Sequence, residues 1–185
     1  MNFAKKEERS FISRLKESKN ELKRVPSLVG TALLTALNVI VGTFSFHITP
    51  MIKIGFTSVV AGVCGMYYGP LATGLAGVMA DTLKFAVKPD GPYFPGYALN
   101  EFLVGFIYGA FFYKKEITIP RVIVARACVT IFINLGLGAL WLNILYDNPL
   151  FTSARLIKNV VMFPIDCVIL YTVLKGAQRI RKPQK

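Results

Sequence analysis

Residues 81–101, DTLKFAVKPDGPYFPGYALNE, decide how this chain is read, because they set charges, prolines and aromatic rings between two apolar runs long enough to sit in a bilayer. Pro89-Asp90-Gly91-Pro92 cannot continue a helix, since each proline lacks an N–H donor and biases its predecessor away from helical angles. A turn is expected there. Tyr93, Phe94 and Tyr97 crowd around Pro95-Gly96, Asp81, Lys84 and Lys88 recur on one face of the preceding helix, and Asn100 and Glu101 enter the next. Two readings fit these residues: an aromatic interfacial belt with a solvated turn, or the mouth of a binding site with stacking walls and a charged floor.

Working outward, 54% of the 185 residues are hydrophobic and 17% charged, too apolar for an ordinary soluble domain, so an integral membrane protein is expected. The formal charge of +12 does not point to nucleic acid, because most basic residues lie in the two tails and one short loop rather than on a folded basic face. Cys64, Cys128 and Cys167 stand far apart inside apolar runs and read as small buried residues, with no disulfide framework or zinc pattern. His47, the sole histidine, reads as a helix-end polar residue and cannot build a His-Glu-x-x-His metal motif. No metal, cofactor or catalytic residue is assigned.

Residues 1–27 form a basic segment in which Phe11, Ile12, Leu15 and Leu22 keep roughly to one helical face, as in an amphipathic helix lying on a membrane surface. Six spans are expected after it, at about 28–46, 53–68, 70–87, 97–113, 121–145 and 153–174. Gly69-Pro70 leaves room only for an antiparallel turn between the second and third. The fold class is therefore an all-α bundle of six transmembrane helices, with the spanning domain at 28–175 and a basic tail at 176–185. The N-terminal segment, the 114–121 loop and the C-terminal stretch from Lys175 onward hold sixteen of the twenty-two Lys and Arg residues, which places both termini in the cytoplasm and the central stretch outside.

Small residues recur four apart at Ala32 and Ala36, at Gly65 and Gly69, at Ala72, Ala76 and Ala80, and at Gly105 and Gly109. Such stripes let helix backbones approach closely, mostly within the bundle, and at least one pair is free to face a partner. Of the remaining basic residues, Lys84 has Asp81 one turn away, whereas Arg155 and Lys158 share a face of the sixth span with no acid within a turn. They either snorkel to lipid phosphates or clamp the carboxylates of a ligand. Asn159, Asn143, Trp141, Tyr93 and Phe94 would add amide bonds and stacking faces, a set suited to an anionic, aromatic, hydrogen-bond-rich solute. No Gly-Lys pair occurs anywhere, so there is no Walker phosphate loop and energy must come from a partner or a gradient.

Taken in order, Ala32-x-x-x-Ala36, Lys53-Ile54-Gly55-Phe56, Gly69-Pro70, Asp81, Pro89-x-Gly91-Pro92-Tyr93-Phe94-Pro95-Gly96, Trp141-Leu142, Arg155-x-x-Lys158-Asn159 and Met162-x-Pro164 resemble the S components of energy-coupling factor vitamin transporters, most closely the folate-specific ones. The resemblance runs from about Ser27 to the C-terminus. It implies a non-catalytic membrane subunit that captures folate or a related pterin outside and works with a transmembrane coupling subunit and two ATPases. It further implies Ala32 and Ala36 as the contact with the coupling subunit. Asp81, Tyr93, Phe94, Pro95, Asn100, Trp141, Asn143, Arg155, Lys158 and Asn159 are the candidate substrate residues, with Asp81 the favoured acceptor for the pterin edge. Two other readings stand beside it: an S component for another anionic aromatic vitamin, and a membrane-embedded enzyme using Asp81 and Glu101 as acid and base.

Overall fold

The structure, a computed structural model, describes residues 13–43, 46–49, 52–54, 56–89, 93–146 and 153–180. A short helix α1 (13–21) precedes α2 (Val25–Thr43) and an antiparallel hairpin of β1 (Phe46–Thr49) and β2 (Ile52–Ile54). Five more helices follow: α3 (Thr57–Val87), α4 (Pro95–Phe112), α5 (Ile119–Cys128), α6 (Gly138–Tyr146) and α7 (Ser153–Ile180). A π-helical segment, Val129–Leu137, joins α5 to α6 without a break. Val25–Thr43, Thr57–Val87, Ile119–Leu145 and Asn159–Ile180 are each long and apolar enough to cross a membrane. Their outward sides are apolar too, with Leu33 67%, Val168 66% and Val160 72% exposed, a surface that suits hydrocarbon and would be costly in water.

The long α3 is two helices. Gly69 has φ +83° and ψ −177°, a conformation open essentially to glycine alone, and Pro70 follows it. The chain doubles back there as expected from Gly69-Pro70. An elbow of this kind frees backbone groups, and α1 supplies their partner: the Ser18 hydroxyl donates to the Tyr68 carbonyl at 3.0 Å and accepts from the Leu71 N–H at 3.2 Å. Ser18 is fully buried. The described part of the N-terminal segment therefore docks on the protein through this residue, where the sequence reading had only a helix on the membrane surface.

Three boundaries differ from the sequence reading. Phe46-His47-Ile48-Thr49 and Ile52-Lys53-Ile54 are rich in β-branched and aromatic residues and pair as a hairpin, with His47 opposite Lys53, so Lys53 does not open a helix and His47 does not end one. The fold is thus helical with one small hairpin, and the first leg of α3 is only about 18 Å long at 1.5 Å per residue. The helix α2 starts at Val25, before the expected boundary at 28. The helix α7 runs past 175 to Ile180, tied to the turn after α4. Lys175 Nζ donates to the Ile117 carbonyl at 3.4 Å, the Ile117 N–H donates to Gln178 Oε1 at 3.3 Å, and the Tyr67 hydroxyl donates to the Ala177 carbonyl at 3.0 Å.

The core joins the first leg of α3 to α4, α5, the π-helical segment and α7 through Met66, Tyr108, Phe112, Val122, Ile133 and Leu170, and the closest backbone approach is between α3 and α4. A Cβ placed on Gly105 or Gly109 would come within 3.0 Å of the α3 backbone at Thr73 or Pro70, and one on Gly65 would lie 2.7 Å from the Gly109 nitrogen. Ala72, Ala76 and Ala80 are likewise buried. Small-residue stripes here work inside the bundle, as in membrane helices generally.

One charged cluster is buried with them. Arg126 of α5 pairs through Nη2 with Asp166 of α7, and its Nη1 donates to the Tyr108 hydroxyl of α4 at 3.0 Å. The side chains of Arg126 and Asp166 are 13% and 10% exposed, and Tyr108 is fully buried. An intramembrane arginine is tolerated because it faces the bundle interior and is neutralised there.

Two outcomes follow for stability. Gly105→Ala and Gly109→Ala should each cost about 1–3 kcal/mol by overpacking, whereas Gly176→Ala, with nothing within 4 Å of its Cβ, should hold or raise stability. Thermal unfolding of the detergent-solubilised variants measures this, and equal midpoints for all three would refute the close-approach account. Asp166→Asn should cost about 3–5 kcal/mol by stranding the arginine, and the double variant Arg126→Met, Asp166→Leu should recover most of it. A double-mutant cycle in chemical unfolding checks the coupling, and additive losses would show that the pair is not an energetic unit.

Candidate functional site

The end of the bundle opposite Ser18 carries the residues singled out in 81–101. Phe94 precedes α4 with extended angles (φ −127°, ψ 118°), and Pro95 opens the helix, where its missing N–H costs nothing. This entry turns the Phe94 ring toward Trp141 of α6, edge to face at 5.3 Å between centroids, and toward Tyr97 at 6.0 Å. Gly96 makes the contact possible, because a Cβ there would fall 2.8 Å from Trp141 Cε2. Phe85 of α3 tilts against Tyr93 at 5.2 Å, and Tyr93 is exposed.

The Trp141 indole donates from Nε1 to Asn100 Oδ1 at 3.1 Å, joining α6 to α4. An indole N–H is a donor only, so this bond fixes the amide with its oxygen toward Trp141 and its Nδ2 donors turned elsewhere. Trp141, Phe94 and Asn100 thus form one unit, a held aromatic plate beside an oriented amide. Trp141 and Asn100 are both half-buried.

Beside it, Lys84 meets Glu101 of α4 at 3.8 Å, with the two side chains 19% and 28% exposed. The stem of Lys84 lies against α2, where a Cβ on Gly42 would fall 2.8 Å from Lys84 Cε. Lys84 therefore links α2, α3 and α4, and its partner across the helices is Glu101, a pairing that one-helix spacing from Asp81 does not reveal. Glu101 held in an ion pair is a poorer candidate for the acid or base of an enzyme than the sequence alone left open. Asp81 is half-buried one turn before Phe85 on α3.

The other candidates are placed as follows. Asn143 is half-buried on α6 but lies about 200° around that helix from Trp141, so the two do not share a face. Asn159 is half-buried in the second turn of α7. Arg155 and Lys158 belong to the first turns of that helix, three residues apart and on one side of it with Asn159, while their side chains lie outside the described residues. Residues 90–92 and 147–152, which the sequence reading took as a turn and a loop, also lie outside them. Ala32 and Ala36 stand apart from the other small-residue stripes: both are exposed, on a face of α2 shared with Val29, Leu33 and Ile40.

Phe85, Asp166 and Tyr108 were missed at the level of sequence. The one available signal for Asp166 was charge itself, since Arg126 needed an intramembrane counter-charge and Asp166 is the acid of the last span. Phe85 and Tyr108 gave no signal distinct from the many aromatics around them.

Comparison with known proteins places this architecture. The family model for the ECF transporter, substrate-specific component, matches residues 26–175. The folate transporter FolT of Clostridium novyi is 35% identical over 162 residues, covering 86% of this chain and 94% of that protein. FolT of Leuconostoc mesenteroides is 30% identical over 153 residues, covering 78% and 82%. A crystal structure of FolT bound with folic acid superposes with a TM-score of 0.76 at 39% identity, covering 81% of this chain and 94% of that one. The helical membrane fold, its exposed apolar flanks and this match over most of its length agree, and the chain belongs to the family of substrate-specific components of ECF transporters.

Proposed function

We propose that this chain is the folate-binding subunit of an ATP-driven ECF importer, and that it captures folate outside the cell membrane and delivers it inward. The observation that carries the reading is the unit of Phe94, Trp141 and Asn100. It offers a fixed stacking plate and a fixed amide at the end of the bundle where residues 81–101 lie, which suits a flat pterin with hydrogen-bonding edges. The relatives named as folate transporters and the folic-acid-bound neighbour support the same substrate.

In this reading the two legs of α3 count separately and the chain crosses the membrane six times, with both termini in the cytoplasm. Residues 28–175 form the binding domain, flanked by the basic segments 1–27 and 176–185. Asp81 accepts from the amino edge of the pterin, and Arg155 and Lys158 clamp the glutamate carboxylates. Tyr93, Pro95 and Asn159 complete the walls, whereas Asn143, on the other side of α6 from Trp141, lies off this face. The chain takes no catalytic part, and a coupling subunit with two ATPases supplies the energy. Ala32 and Ala36 receive the coupling subunit, a role supported by their being exposed while the other stripes are spent on internal packing.

Calorimetry on the purified protein tests the site with two ligands, folate and p-aminobenzoyl-glutamate, which lacks the pterin. Arg155→Ala and Lys158→Ala should weaken both by about 2–5 kcal/mol, whereas Asp81→Asn should weaken folate alone. Wild-type affinities in all three variants would refute the assignment. For the partner face, Ala36→Trp should bind folate normally yet fail to support uptake in cells that carry the coupling subunit and ATPases. Normal uptake would remove Ala36 from the interface.

A further inference from the structure

Helix α1 lies outside the part of the chain that matches the family, and its two sides are committed differently. Leu15, Ser18 and Leu22 face the protein, Ser18 fully buried and the two leucines half-buried. Both described acids of the segment are turned to intramolecular partners: Glu17 meets Lys114 Nζ at 2.8 Å, and Glu21 accepts from the Ser27 hydroxyl and pairs with Arg24 at 3.6 Å. The hydrogen bond that Lys114 donates to the Glu17 carboxylate holds its ammonium above the usual lysine pKa. What remains outward is a row of cations. Lys16, Lys19 and Lys23 are exposed, recur three and four residues apart, and make no ion pair among the described residues.

The chain passes at once from this row to apolar surface. Val25 is 69% exposed, Leu28 45% and Val29 53%, so the belt of exposed apolar side chains on α2 begins within one turn of Lys23. Ammonium groups directly above an apolar belt match a phosphate headgroup above acyl chains. An acidic protein surface would match the lysines but not the apolar continuation.

We propose that the surface formed by Lys16 and Lys19 of α1 and Lys23 of the turn after it is a docking surface for anionic phospholipid headgroups. It seats the elbow end of the bundle at the membrane surface. Because Ser18 fastens α1 to the Gly69 elbow, lipid held there bears on the fold through two hydrogen bonds rather than through a free tail. The inference rests on the membrane orientation proposed above and not on the identity of the substrate.

Native mass spectrometry of the full chain, titrated with short-chain phosphatidylglycerol and with phosphatidylcholine, tests it. Wild type should retain phosphatidylglycerol in preference, and the preference should fall roughly fivefold for each of Lys16→Gln, Lys19→Gln and Lys23→Gln. Folate binding, measured in parallel, should stay unchanged, which separates this face from the substrate site. An unaltered lipid preference in the triple variant would overturn the proposal. So would equal competition by glycerol 3-phosphate, which indicates a site for free phosphate. Weaker association with the coupling subunit at unchanged lipid preference would overturn it in favour of a protein partner.

Discussion

The structure depends on how closely α3 and α4 approach. In hydrocarbon no hydrophobic force pulls helices together, so association relies on van der Waals contact and on polar bonds between backbones and side chains. Gly65 and Gly109 on facing helices bring main chain against main chain, and Gly105 does the same at Thr73. Gly109 against Pro70 and Gly77 against Glu101 extend the seam, so that α4 is held beside the second leg of α3 as well as the end of the first. The seam thereby sets where residues 81–101 leave and re-enter the bundle.

At one end of that seam the chain reverses through Gly69, and the reversal is completed by a serine fifty residues earlier. A single hydroxyl serves both an orphan carbonyl and an orphan N–H, the accounting that a break in a helix requires when little water is near. At the other end, the aromatic unit around Trp141 and the Lys84 to Glu101 pair bind α2, α3, α4 and α6 together. Between the two ends sits the Arg126, Asp166 and Tyr108 cluster, which ties α4, α5 and α7. Polar groups thus occur at three levels, each joining helices that the glycine seam does not reach.

The same division explains why one stripe of small residues is left over. Ala72, Ala76, Ala80, Gly105 and Gly109 are consumed inside the bundle, while Ala32 and Ala36 stay on the surface of a helix whose outward side is apolar throughout. An exposed small-residue face of this kind admits another helix closely.

Much of this was legible in the chain itself. Span-length apolar runs, the glycine and proline of the elbow, and the aromatic stretch from Tyr93 follow from hydropathy and backbone chemistry, which act locally and leave a mark in consecutive residues. The placing of basic residues sets an expected orientation by counting charges, with no appeal to contacts. Pairings were another matter. That Lys84 meets Glu101, that Arg126 meets Asp166, and that Ser18 closes the Gly69 elbow depend on helices far apart in sequence, and spacing along one helix carries no trace of them. The hairpin at Phe46 to Ile54 was hidden because a short apolar run reads equally as helix or strand until its neighbours choose. Sequence determined which segments are apolar enough to enter a membrane and which residue types gather at the end of the bundle opposite Ser18; tertiary structure decided which of them touch, because contact between helices is fixed by packing and not by order along the chain.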